Sequence, residues 1–196
     1  MRFRILLGVQ YVVCSSLGRA PDCDSGGSGI ETHQTTKIKV EIMKRVFRNE
    51  RNPTKIYDVI KYTRTILCDH PDATIHIGTD SQNHRKYTTY AICVCYRYGM
   101  RGVHVIYNKQ YIRPKIRDRW TRLWKEAEMS IEVSEWIQNN SSFKVKTIDM
   151  DYNDDKHHFS SKLVSAAKGW AESLGYNVSV KPEEQVATRA ADHLCK

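Results

Sequence analysis

No two of the six cysteines (positions 14, 23, 68, 93, 95 and 195) form a CxxC pair, and none of their spacings matches a zinc-binding pattern. The thiols therefore fit a reducing, cytoplasmic setting rather than a disulfide scaffold. Cys93 and Cys95 alternate along one strand face, where core packing is the expected role. No run approaches the roughly 20 consecutive apolar residues that a bilayer-spanning helix needs, so no membrane partner is expected. Internal repeats are absent as well. Negative charge is the scarcer sign, with 22 Asp+Glu against 31 Lys+Arg and a formal charge of +9. That excess fits a nucleic-acid partner, because Lys and Arg displace counterions from a phosphate backbone; a merely solvated positive surface is the alternative. At 196 residues the chain can bury one substantial core.

Residues 1–42 differ from the rest. Ile5 to Val13 follows two arginines in the outline of a signal peptide, but Gly8 and Gln10 interrupt it. Asp24 to Gly29 is rich in Gly and Ser and reads as a flexible linker. The expected organisation is a flexible extension over 1–42 and a single domain over 43–196.

Asn52-Pro53 has the form of a helix start, with Ile56, Val59, Ile60 and Leu67 as the apolar stripe up to Asp69. Strands are expected over 74–80, 87–98 and 102–112, joined by tight turns and hence antiparallel. A helix of about twenty residues begins near Asp118 and ends at Asn139–Ser142. A strand (143–151), a helix from Ser160/Ser161 to Leu174, a strand (177–181) and a last helix follow. Glu183 and Glu184 are expected in the first turn of that last helix, where acids suit its dipole. Strands reached through helices are expected to run parallel.

Four acids fall on separate elements of this plan. Alternation places His76, Gly78 and Asp80 on one strand face, and Gly78 is expected to leave room beside the Asp80 carboxylate for a cation or a substrate backbone. A turn aspartate capping Ser81-Gln82 is the plainer reading. Glu126 lies at the flank of the apolar stripe of its helix, among Leu123, Ala127, Val133 and Ile137. A carboxylate facing the sheet needs a metal or a buried base unless its side chain escapes to solvent. Asp149 and Asp151 share a strand face, so periodicity does not choose between them; Asp151 stands at the strand end, where ligands collect. Asp149 is left as a helper or a solvent-facing residue. By helical phase alone Asp192, almost opposite the stripe of Val186, Ala187, Ala190 and Leu194, is a solvated residue. Carboxylates brought together from separate elements repel one another unless hard cations such as Mg²⁺ or Mn²⁺ neutralise them.

The basic stretch with the best position is Arg113, Lys115, Arg117, Arg119, Arg122 and Lys125, with Trp120 and Trp124 interleaved. Such side chains clamp phosphates while an indole stacks on a base. A charged helix start with tryptophans in the core is the competing reading, and it suits Trp124 better than Trp120. His157-His158 after Asp154-Asp155 reads as a solvated loop rather than a transition-metal site.

The strings GTDSQ (78–82), RLWKEAEMS (122–130), DYNDDKHHFSSKLV (151–164) and VKPEEQVATRAADH (180–193) resemble the YkuK-type ribonuclease H-like family over about residues 54–196. The resemblance implies an α/β fold with a five-stranded mixed sheet, three antiparallel strands followed by parallel ones, flanked by helices. It matches Asp80, Glu126, Asp151 and Asp192 to the family's acidic positions, with Asn153 following Asp151. It further implies a Mg²⁺- or Mn²⁺-dependent nuclease cleaving RNA, an RNA/DNA hybrid or structured DNA with two cations roughly 4 Å apart. A module that binds nucleic acid without turnover is the alternative.

Overall fold

The structure is a computed structural model that describes residues 45–153 and 161–196. The extension over 1–42 and the loop with His157-His158 lie outside the described residues. Among the described residues, four helices and seven strands follow in the order β1 (Phe47–Asn49), β2 (Lys55–Ile56), α1 (Val59–Asp69), β3 (Thr74–Asn83), β4 (Thr88–Arg97), β5 (Val103–Ile112), α2 (Arg119–Asn139), β6 (Val145–Asn153), α3 (Ser161–Ser173), β7 (Val178–Lys181) and α4 (Ala187–Cys195).

All seven strands join one sheet in the order β2-β1-β5-β4-β3-β6-β7. The meander β3–β4–β5 is antiparallel, whereas β6 and β7 run parallel to β3. The division follows from the connections. Tight turns join the meander, and Gly99 (φ +56°) and Gly102 (φ +135°) supply the left-handed backbone that the β4–β5 turn requires. Helices α2 and α3 carry the chain across to β6 and β7.

The sheet has seven strands rather than the five expected. The additional two form a short hairpin on the free edge of β5, with Phe47 opposite Ile56 and Arg48 opposite Tyr107. Strands of two and three residues are too short to show alternation. The same hairpin displaces the expected helix start. Asn49 Oδ1 accepts from the backbone N–H of Arg51 at 3.0 Å, so Asn52-Pro53 lies in the turn. Helix α1 begins instead at Val59, capped by Asp58, which accepts from the N–H of Lys61 at 2.8 Å.

Each sheet face has its own cover. Tyr90, Ile92, Val94 and Tyr96 of β4 pack with α1, α2 and α3 in the main apolar core. On the other face Ala91, Cys93 and Cys95 meet Ala187, Ala191 and Cys195 of α4. The two cysteines of β4 are fully buried core residues. Small side chains there let α4 lie close to the sheet. The approach is close at Gly78, where an added Cβ would stand 2.9 Å from the backbone nitrogen of Thr188. The space over Gly78 therefore holds α4, and not the cation or substrate backbone expected there.

Candidate functional site

The parallel ladder between β3 and β6 ends where Gly78 pairs with Asp149. Asp80 and Asp151 each stand two residues further on, beyond the last paired position and on the face covered by α4. Here the carboxyl ends of two parallel strands open into a crevice, as in other α/β sheets.

Asp80 is half-buried, and its pKa is raised from 3.8 to about 6. Burial is the main cause; the backbone N–H of Ser81 opposes it, and the nearby Asp151 and Asp192 carboxylates add to it. Asp151 pairs through Oδ1 with Lys181 Nζ at 2.6 Å. Asp192, on the last turns of α4, pairs with Lys196 Nζ at 2.8 Å and is more than half exposed. Asp151 and Asp192 both line an open cleft of about 310 Å³, together with Lys181, Gln185, Thr188 and Arg189.

Glu126 approaches from the opposite side of the sheet. Its residue is 2 % exposed, inside the interface of α2 with the sheet. Ser81, whose side chain alternates onto that face, donates its hydroxyl to Glu126 Oε1 at 2.5 Å. Arg122, one helical turn before Glu126, donates to the Ser81 carbonyl at 2.7 Å and to its Oγ at 2.9 Å. Burial holds the Glu126 carboxyl well above the usual range, and the Asp80 charge pushes it further. The partner that a sheet-facing carboxylate requires is thus a serine bracketed by an arginine. Ser81 is legible in sequence only as the neighbour of Asp80, and Arg122 only as the residue four before Glu126.

Asp149 is neither a helper at the crevice mouth nor solvent-facing. It is 1 % exposed, and Oδ2 accepts from the backbone N–H groups of Val186 and Ala187, both at 2.7 Å. Its other carboxylate oxygen is buried without a hydrogen-bond partner among the described residues. Burial raises its pKa to about 6, against those two bonds. Asp149 thereby supplies the negative charge at the N-terminus of α4. Glu183 and Glu184, expected in that role, precede the helix, which starts at Ala187; Glu184 pairs instead with Arg97 at 2.8 Å.

The basic stretch divides. Arg113 lies over the Tyr87 ring, 5.5 Å from its centroid. Arg122 is engaged with Ser81, the residue that donates to Glu126. Lys115 is half-buried, Arg117 and Arg119 are exposed, and Trp120 is 37 % exposed. Trp124 stacks on Trp170 with centroids 5.6 Å apart and belongs to the core packing.

A ribonuclease H-like family model, that of the YkuK family, matches residues 55–196. The chain belongs to this family. Its α/β architecture, with a mixed sheet between helices, is the ribonuclease H-like one, and membership points to a function on nucleic acid. No curated protein and no solved structure matches the chain. Among the described residues no helix is long and apolar enough to cross a membrane.

For a divalent cation, the donor set of the ribonuclease H-like chain is of the right chemistry. Asp80, Asp151 and Asp192 offer only oxygens, and the charge that Asp151 and Asp192 place beside Asp80 is of the kind a cation relieves. Among the described residues, no three His, Cys, Asp or Glu side chains are already gathered as a metal-holding group. Lys181 and Lys196 now hold Asp151 and Asp192, so loading a cation requires these lysines to swing away.

Proposed function

We propose that this ribonuclease H-like chain is a divalent-metal-dependent nuclease whose site lies where β3 and β6 part. The observation that carries the reading is that Asp80 and Asp151 both stand two residues beyond the last β3–β6 pair, with Asp192 lining the same cleft as Asp151. Asp80 and Asp151 would hold the cation, with Asp192 joining from α4. Mg²⁺ or Mn²⁺ there would acidify a bound water and stabilise the departing oxygen of a phosphodiester. Glu126, bonded to Ser81 and flanked by Arg122, fixes the strand beside Asp80 from the other face of the sheet. Lys181 and Arg189, at the rim of the cleft, are placed to meet a phosphate once Asp151 is engaged. RNA, an RNA/DNA hybrid and structured DNA are the substrate classes to compare.

The test is cleavage of labelled oligonucleotides with and without Mn²⁺, for the wild type and Asp80→Asn. Metal-dependent cleavage by the wild type, abolished in a folded Asp80→Asn, is expected. Equal turnover by the two proteins would remove Asp80 from the reaction.

The second reading is a binding module without turnover. It is favoured by the lysine pairing of Asp151 and Asp192, which leaves these acids neutralised without metal. Salt-sensitive binding of nucleic acid with no Mn²⁺ dependence would support it.

A further inference from the structure

The face of the sheet that carries Asp80 continues past the cover of α4. Helix α4 ends at Cys195, whose thiol donates to the Asp80 carbonyl at 2.9 Å. In the register of the meander, Asp80 lies opposite Ala91, and Ala91 opposite Lys109. The next same-face row is Gln82, Thr89 and Tyr111. Beyond it the turn brings His84 and Tyr87 together, their backbones joined by a 2.8 Å hydrogen bond and their rings stacked at 4.7 Å. Tyr87 meets Tyr111 edge-on at 5.7 Å, and Arg113 covers Tyr87.

In these rows Tyr111 presents the open stacking surface, backed by Tyr87 and His84, with cations along it. Tyr111 is 61 % exposed despite its large ring, and nothing in the main core requires it there. Lys109 and Arg113 stand two residues to either side of Tyr111, each about 7 Å away along the strand. Arg85 and Lys86 at the tip of the turn are both exposed. The platform begins about 7 Å along the strand from Asp80. Stacking surfaces interleaved with cations fit unpaired bases on a sugar–phosphate backbone, because bases inside a duplex do not offer their faces. The charge of the chain, +9, has the matching sign.

We infer that the Tyr87–Tyr111 platform, with His84, Lys109 and Arg113, binds a single-stranded segment of nucleic acid and leads it towards Asp80. The assignment of that strand as substrate rests on Asp80 marking the cleavage site; the binding itself does not. A protein carrying Asp80→Asn, which blocks turnover, is titrated into fluorescein-labelled single-stranded and duplex 12-mers at about 0.1 M salt, with binding followed by anisotropy. Tyr111→Ala is expected to weaken single-strand binding by about tenfold or more, and Tyr111→Trp to preserve it. Arg113→Gln should weaken it and reduce the salt slope by about one. Tyr57→Ala, at an exposed tyrosine outside the platform, should leave it unchanged.

Preference for the duplex, no binding of either oligonucleotide, or full affinity in Tyr111→Ala would overturn the inference. Loss of single-strand binding in Tyr111→Ala, together with no Mn²⁺-dependent cleavage by the wild type, would uphold the platform while removing the nuclease reading. Cleavage by the wild type with unaltered binding in Tyr111→Ala would do the reverse.

Discussion

The hydroxyl of Ser81 donates to the buried carboxyl of Glu126 across the interface between β3 and α2, and Arg122 grips the same serine through its carbonyl and hydroxyl. A strand residue next to Asp80 is thereby tied to the helix that supplies the only fully buried glutamate among the described residues. Ser81→Ala removes the donor without adding bulk. Unfolding in urea should show a loss of about 1–3 kcal/mol, the usual consequence of leaving a buried acceptor unsatisfied. Glu126→Gln keeps a group that can accept the same bond and should unfold within about 1 kcal/mol of the wild type. An unaltered Ser81→Ala midpoint would show that the Ser81–Glu126 hydrogen bond adds nothing to stability.

Asp80 gives a pH signature. Its pKa is about 6 in the folded chain against 3.8 ordinarily. The folded state therefore binds the proton more tightly than the unfolded one. The stabilisation this provides is complete below about pH 3.8 and is lost as pH rises through 6. Asp80→Asn has no charge to bury. At pH 7.5 it should be more stable than the wild type by about 1–2 kcal/mol, allowing for the partial exposure of the site. The gain should vanish by about pH 4. Denaturant midpoints at the two pH values measure it directly, and a gain that persists at the lower pH would contradict the electrostatic cause.

Much of this architecture is legible in the sequence. The three long strands of the meander, the helix capped by Asp118 and the parallel return strands all carry periodicity over enough residues to be read. The hairpin of β1 and β2 does not, because two or three residues cannot display an alternation, and Asn52-Pro53 imitates a helix start. At the site, phase alone points Glu126 at the sheet, but the identity of its partner depends on which strand residue lies across the interface. Asp192 shows the opposite limit. Its helical phase reads as solvent, and it is exposed; its influence on Asp80 arises only because α4 ends beside the crevice. Asp149 is hidden for a related reason, since the helix it caps starts 38 residues later.

Gly78 sets the height of α4 over the sheet. An added methyl would meet the Thr188 nitrogen at 2.9 Å and the Ala187 Cβ at 3.0 Å, and backbone cannot turn aside as a flexible side chain would. Gly78→Ala should destabilise by about 1–3 kcal/mol. Hydrogen exchange should rise preferentially in α4, from Ala187 to Cys195. Uniform exchange across the chain would show that α4 is not the element displaced.

Lys181 competes with any cation for Asp151, so its removal is informative. Lys181→Met retains the aliphatic stem and removes the ammonium that pairs at 2.6 Å. Mn²⁺ affinity should increase several-fold in Lys181→Met, read by calorimetry in the absence of nucleic acid, where turnover plays no part. Unchanged affinity would mean that Asp151 is not a ligand.

Calorimetric titration of Mn²⁺ into the wild type and Asp80→Asn, side by side under metal-free starting conditions, bears most directly on the crevice between β3 and β6. Saturable binding by the wild type, lost in a folded Asp80→Asn, is the expected result. Identical heats from the two proteins, whether saturable or absent, would contradict a cation site built on Asp80.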